Sequence, residues 1–459
     1  MSKDTGNSYL PSSFRDPSGY LFTREGELFR QVNQSYKEEY GQLINSGLYN
    51  ELVNSGLLIP HREVDAQPPE PQKAFKIIKP EPLDFVSYPY EWCFSQLKDA
   101  ALATLKVQKT ALSYGMTLKD ASAYNIQFHK SRPVLIDTLS FDIYHEGQPW
   151  IPYRQFCQHF LAPLALMSKG DVRLNQLLRV HLDGIPLEMA SVLLPRSTYL
   201  KFSLLSHVHL HARSQKHLSS RKREAQRGKM SRLSLLGLID NLQSAVSRLK
   251  FKSSSQWADY YDECIFSRQY LEDKKKYVSD FVSKVEPRDV WDLGANTGLF
   301  SRIPAERGIH TVSMDIDPLC VEGNYLEARQ KGETSILPLV IDLTNPSPGI
   351  GWKNTERLSF LQRGPADMAV ALALVHHLAI SNNLPLSKIA SFFNDICRKL
   401  VIEFVPKEDP RVQELLSSRE DVFPNYTREC FENEFASYFS IEEQVRLGDS
   451  QRLLYLMKK

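Results

Sequence analysis

Cysteine is scarce in this chain and follows no spacing rule. Cys93, Cys157, Cys264, Cys320, Cys397 and Cys430 are scattered through 459 residues, with no Cys-x-x-Cys pair and no histidines at metal-ligand intervals. A disulfide-stapled scaffold and a structural zinc site are therefore both unsupported. No apolar run approaches the roughly 18 residues that a membrane helix needs. The first residues, Met1-Ser-Lys-Asp-Thr-Gly-Asn7, lack the apolar segment of a signal peptide. An excess of one charge is missing too: 56 basic against 54 acidic residues give no global attraction to nucleic acid or anionic membrane. Internal repeats and long low-complexity tracts are absent. The expectation is a globular protein with reduced thiols, no membrane span and a cytoplasmic location. Its 42% hydrophobic residues suffice for the cores of two or three domains.

The most informative stretch is Val290-Trp-Asp-Leu-Gly-Ala-Asn-Thr-Gly-Leu-Phe300, followed by Val312-Ser-Met-Asp-Ile-Asp317. An apolar strand ending in an acid and a Gly-x-Asn-x-Gly turn, then a helix, then a second strand ending in an acid, builds a nucleoside pocket. Gly294 and Gly298 permit positive φ and a close approach of backbone to ligand. Asn296 between them is the residue after glycine that best tolerates the left-handed region. The following helix would offer its free N–H groups to the ligand. Asp315 is placed to accept hydrogen bonds from the two ribose hydroxyls. A dinucleotide-binding turn carries a second glycine where Asn296 stands, so a pyrophosphate would be crowded there.

On these residues the carboxyl part resembles the class I S-adenosylmethionine-dependent methyltransferases. Asp292-Leu-Gly-Ala-Asn-Thr-Gly298 is similar to the family's first motif and Met314-Asp315 to its ribose-binding strand end. Val340-Ile-Asp342 is similar to the third strand end, where an acid lies near the adenine amino group. Asp367 to Leu378, with its His-His-Leu ending, and Leu400 to Val405 resemble the fourth and fifth strands. The resemblance spans about residues 255 to 459. It implies S-adenosyl-L-methionine as cofactor, with Asp292, Gly294, Asn296, Gly298, Asp315 and Asp342 as binding residues. Strands are expected near 289–293, 310–315, 336–342, 367–374 and 399–405. Their alternation with helical patterns specifies an α/β, doubly wound, Rossmann-like sheet, closed by an antiparallel pair near 440–447 and 452–458.

Methyl transfer from a sulfonium requires alignment of the acceptor and, for a hydroxyl or acidic carbon, removal of its proton. His376 and His377 follow the fourth strand where an acceptor would approach, and an imidazole titrates near neutral pH. The alternative is a capping or packing role for either ring. Glu403, inside the fifth strand, is a third acid–base candidate or a buried structural partner. The fourth strand lacks the Asn/Asp-Pro-Pro-aromatic ending of nucleobase amino-methyltransferases. Hydroxyl, carbon or amine acceptors on small or glycan- and lipid-like molecules are therefore expected, and nucleic acid is not.

The amino half, about residues 1 to 212, reads as an α+β domain. A hairpin is expected around Arg24-Glu-Gly26, a helix from about Gln34 to Ser55, a break at Asp65 to Pro71, a strand at Lys73 to Lys79 and a helix from Ala100 to Tyr114. Residues 116 to 138 carry Asp120, Asn125 and Ile136-Asp137, which resemble the catalytic loop and metal-binding segment of kinase-like phosphotransferases. The pattern departs from that family at Leu118 and at Thr138-Leu139, and no glycine-rich loop precedes it. Lys73, Lys76 and Lys79 have no evident acidic partner. Asp120 capping a plain turn is the simpler reading. Residues 213 to 254 form a basic helical connector, a solvated linker or a docking site for an anionic substrate or RNA. Trp257, Tyr260 and Tyr261 either pack or line the acceptor pocket. The rivals to a methyltransferase are a non-catalytic binding module, a bifunctional enzyme with a live phosphotransferase half, and an RNA methyltransferase.

Overall fold

The computed structural model describes residues 8–211, 230–251, 268–417 and 420–459. Most of the basic run, Cys264, and the cluster Trp257, Tyr260 and Tyr261 lie outside the described residues. The chain divides into two units, residues 1–252 with 350–357, and 253–349 with 358–459. Among the described residues no helix is long and apolar enough to cross a membrane, and the five cysteines form no disulfide, four of them being buried.

The first unit opens with β1 (Ser8–Tyr9), β2 (Gly19–Arg24) and β3 (Glu27–Asn33). Glu25 and Gly26, both at positive φ (52° and 80°), make the β2–β3 turn, the pairing that suits the twist of a two-residue hairpin. Two helices follow, α1 (Lys37–Asn45) and α2 (Leu48–Asn54), where the sequence suggested one. Gly47 at φ 85° turns the chain between them, a conformation that a helix interior cannot hold. β4 (His61–Val64) and β5 (Ala74–Pro80) complete an antiparallel sheet of order β1-β2-β3-β5-β4. Lys73, Lys76 and Lys79 do find acidic partners, in Glu70, Glu63 and Glu27. Two of these partners lie on neighbouring strands, which the linear sequence did not reveal. Next come α3 (Phe94–Ser113), the short antiparallel pairs β6 (Met116–Leu118) with β9 (Phe141–Ile143) and β7 (Ile126–His129) with β8 (Arg132–Leu135), and a helical part including α4 (Ala162–Lys169), α5 (Leu187–Leu193) and α6 (Arg232–Arg248). Within this unit α6 lies along α3, where Lys109 meets Asp240 at 2.8 Å and Lys98 donates to the Ser247 and Leu249 carbonyls. In this unit an antiparallel sheet is thus followed by a mainly helical part.

In the second unit α7 (Arg268–Val285) precedes β10 (Asp289–Leu293), β11 (His310–Asp315), β12 (Ile336–Val340), β13 (Ala366–Ala371), β14 (Cys397–Phe404), β15 (Ser440–Arg446) and β16 (Leu453–Lys458). The sheet order is β12-β11-β10-β13-β14-β16-β15, parallel except for β16, which is antiparallel to both neighbours. This is the doubly wound class I methyltransferase fold. Period-two alternation feeds both faces. Val290, Met368, Val370, Val401 and Leu456 pack with Tyr270, Val278, Phe281 and Val282 of α7 on one side. Trp291 turns to the other, against Phe360 at 5.0 Å between ring centroids. Strand order reverses between β10 and β13, leaving a crevice at their carboxyl ends.

Leu456 is wholly buried in the first of these layers. Leu456→Ala is expected to cost about 2–5 kcal/mol, read as a lower urea midpoint for the carboxyl unit's transition.

Candidate functional site

A cavity of about 270 Å³ opens at that crevice. Its lining comes from the β10 turn (Gly294, Asn296), the β11 end (Asp315, Ile316, Asp317), the segment after β12 (Ile341 to Thr344), the segment after β13 (Leu372 to Leu374, His377, Leu378, Ser381, Asn382), and Lys274 of α7.

The turn takes the conformation its residues allow, with φ of 73° at Gly294, 51° at Asn296 and 82° at Gly298. It is tied to β11 twice. The Gly294 and Ala295 N–H groups donate to the Met314 carbonyl at 2.9 Å, and the Asn296 N–H donates to Asp315 Oδ2 at 2.7 Å. Asp315 Oδ1 accepts the Asp317 N–H at 2.9 Å. Burial raises the Asp315 carboxyl against the pull of those N–H groups. The Ile316 N–H pulls on the same carboxylate, and since a carboxylate offers about four acceptor positions, acceptor capacity is left for a ligand. Asp342 accepts the Thr344 N–H and hydroxyl, both on Oδ1, at 2.8 and 2.6 Å.

Four residues singled out in the sequence stand elsewhere. Gly298 does not front the cavity: a Cβ there would fall 2.4 Å from the Asn324 side-chain amide, so its missing side chain makes room for Asn324. Asp292 is buried beneath the turn, where the Ser301 hydroxyl donates to its Oδ2 at 2.5 Å and accepts from the Ser313 hydroxyl at 2.8 Å. Burial raises the Asp292 carboxyl to about 7. Glu403 is fully buried and serves a charge network. Lys274 lies 2.6 Å from its Oε2, Tyr270 donates to its Oε1 at 2.6 Å, and Arg452 approaches at 3.4 Å while gripping Asp409 at 2.7 and 2.9 Å. Burial pushes the Glu403 carboxyl up, but the Lys274 and Arg452 charges outweigh it and hold it below the ordinary value. Glu403 is thus a structural counter-ion, because a buried carboxylate on a central strand must be paired. His376 is also buried, 4.3 Å from the His377 ring, with burial lowering it well below 6.5. His377 alone of the pair lines the cavity, and burial lowers it too.

The helix expected after the turn is reduced to α8 (Arg302–Ala305). Pro304 has no N–H to give to Phe300, so the segment runs in tight turns instead, and none of its residues lines the cavity. Sequence reasoning missed Lys274 and the apolar lining of Ile316, Ile341, Leu343, Leu374 and Leu378. Lys274 had a signal, since Tyr270, Lys274, Val278 and Phe281 share one helical stripe.

In the first unit Asp120, Asn125 and Asp137 come together around Ser140. Asn125 donates to the Ser140 hydroxyl at 3.2 Å, which donates to Asp137 at 2.6 Å. Asp120 accepts the Ser122 N–H at 2.9 Å, and burial raises its carboxyl. Arg30 of β3 meets Asp137 at 2.6 Å. Burial would raise the Asp137 carboxyl, yet Arg30 and its hydrogen bonds hold it below the ordinary value. Among the described residues no group of three or more histidines, cysteines or acids is arranged to hold a metal.

Nodulation protein NoeA of Rhizobium meliloti (strain 1021) is 34% identical over 461 residues, covering 98% of this chain and 96% of that one. The chain belongs to the NoeA family. No protein-family model matches it. Solved structures resembling it include the bifunctional kinase-methyltransferase WbdD (17% identity, 44% of this chain and 42% of that one, TM-score 0.30). Others are magnesium protoporphyrin IX methyltransferase ChlM from Synechocystis PCC 6803 with bound SAH (15%, 44% and 92%, 0.32) and N-methyltransferase NodS from Bradyrhizobium japonicum WM9 (12%, 42% and 98%, 0.30). The chain thus spans less than half of WbdD. Its fold rests on the strand order above, independently of these likenesses.

Asp292 retains its proton up to about pH 7 when folded, against 3.8 when exposed. The native state therefore binds more protons than the unfolded chain across that window, and stability falls as pH rises through it. Asp292→Asn removes this loss and can still accept from Ser301. Its urea midpoint is expected to gain on wild type from about pH 4 to 7 and to run parallel above.

Proposed function

We propose that the NoeA-family chain is an S-adenosylmethionine-dependent methyltransferase acting on a hydroxyl, carbon or amine acceptor. The observation that carries the reading is a cavity at the strand-order reversal, faced by Asp315, Asp342 and a side-chain-free Gly294. The donor set fits the cofactor. Asp315 keeps acceptor positions for a ribose diol, Asp342 lies by the next strand end for an adenine amino group, and Ile316, Ile341, Leu343 and Leu378 give the base an apolar slot. A Cβ on Gly294 would stand 3.2 Å from Leu374 and narrow the passage. When bound, the cofactor supplies an electrophilic methyl group on a sulfonium.

His377 is the general base in this reading. Burial keeps its ring neutral near pH 7, and a neutral imidazole can take the acceptor's proton. His376 packs against it and fixes its orientation. Glycan- and lipid-like small molecules are the acceptor class we assign. We do not extend the proposal to phosphoryl transfer, because Arg30 already engages Asp137, the carboxylate that a kinase-like mechanism would give to magnesium.

Calorimetry of the full chain with S-adenosylhomocysteine is expected to show saturable binding. Gly294→Val is expected to abolish it, and Asp315→Ala to weaken it by about 1.5–3 kcal/mol; equal affinity in all three proteins removes the proposal. His377→Asn is expected to slow methylation of metabolite extracts by roughly a hundredfold or more. The wild-type rate should fall on the acid side with a midpoint below 6.5, since protonation of a depressed histidine removes the base.

A further inference from the structure

A second cavity, of about 500 Å³, opens beyond the end of β14 in the same unit. Its lining comes from Phe404, Lys407 and Glu408 at and after the β14 end, from Arg428, from Arg446 at the end of β15, and from Gln451 ahead of β16. Strand register relates it to the first cavity. Ala371 of β13 pairs with Ile402 of β14, so the chain that leaves β13 as Leu372 and Ala373 runs level with Glu403 and Phe404. The two linings thus begin on adjacent strands, whose spacing in a sheet is about 4.8 Å.

The linings differ in charge. The first carries Asp315, Asp317 and Asp342 beside a Lys274 already paired with Glu403. In the second, Lys407, Arg428 and Arg446 stand against one acid, Glu408, among the described residues. Lys407 is saturated: its ammonium donates to both Asp421 oxygens at 3.0 and 2.9 Å and to the Phe423 carbonyl at 2.8 Å. It adds charge but has no donor to give. The two arginines do. Arg446 donates from Nε to the Ser450 carbonyl at 2.6 Å, and Arg428 from Nε to Glu432 Oε1 at 2.8 Å, with Tyr455 beside it. A guanidinium has five N–H donors, so these bonds orient each fork and leave further donors for an oxyanion, which an arginine can hold through two parallel bonds. Both residues are exposed, so a solute can reach them.

We propose, resting on the methyltransferase reading, that Arg428 and Arg446 seat an oxyanion, phosphate or carboxylate, carried by the methyl acceptor. The carboxylates of the first cavity repel that group, so the acceptor lies with its anion in the second cavity and its uncharged, methyl-accepting end toward His377. The acceptor class narrows to anionic glycan-like molecules.

The test titrates glucose 6-phosphate, glucuronate and neutral glucose into the full chain saturated with S-adenosylhomocysteine, by calorimetry. At least one anionic sugar is expected to bind roughly tenfold or more tightly than glucose, and the one that does identifies the oxyanion as phosphate or carboxylate. In the double variant Arg428→Gln/Arg446→Gln that preference is expected to disappear, while S-adenosylhomocysteine affinity stays within about twofold of wild type and shows that the unit still folds. Equal affinity for all the sugars, no binding of either anionic one, or a preference that survives in the double variant overturns the role of the arginines and leaves the cofactor site standing. Failure of wild type to bind S-adenosylhomocysteine overturns the methyltransferase reading itself, and this proposal with it.

Discussion

One carboxylate fixes the geometry on which the site depends. Asp315, at the end of β11, accepts the Asn296 N–H from the turn after β10 and the Asp317 N–H from the next loop. Three segments from two strands are thereby locked to one charged group. The left-handed backbone at Gly294 and Asn296 costs conformational energy, and the bonds from this turn to Met314 and Asp315 hold it there. Without the carboxylate the turn keeps only its bonds to the Met314 carbonyl.

A second layer of constraint sits underneath. Asp292, Ser301, Ser313 and Asn324 form a buried polar chain below the turn, and Gly298 is glycine to admit Asn324. The other buried network, Lys274, Glu403, Tyr270, Arg452 and Asp409, links α7 to the closing hairpin. Networks of this kind add little net stability, but breaking one partner strands a charge in the core. Here they brace the cavity floor and one of its walls.

Much of the carboxyl unit was legible in the sequence, because each parallel strand is a short apolar run ending in a residue with a separate task. Asp315, Asp342 and His377 were found at strand ends and do face the cavity. Gly298, Asp292, His376 and Glu403 were selected by motif position, backbone freedom or acid–base chemistry, yet their side chains, or the space left by a missing one, point into the protein. Whether a strand-end residue faces ligand or core is set by pleat and by neighbours distant in sequence. Lys274 sits in a Lys-Lys-Lys run that reads as a solvated face, and only the stripe it shares with Tyr270, Val278 and Phe281 betrays its burial. In the amino unit the hairpin at Glu25-Gly26 was clear from turn chemistry. Gly47 split the expected helix, and the Arg30–Asp137 pair joins residues more than a hundred positions apart, beyond any local pattern.

The most direct measurement is a crystal structure of the full chain grown with S-adenosylhomocysteine. The expected result places the ribose hydroxyls on Asp315 and the base among Ile341, Asp342 and Leu343. A cleft closed by side chains at saturating ligand, or one that accepts a pyrophosphate-bearing nucleotide in its place, would contradict the assignment.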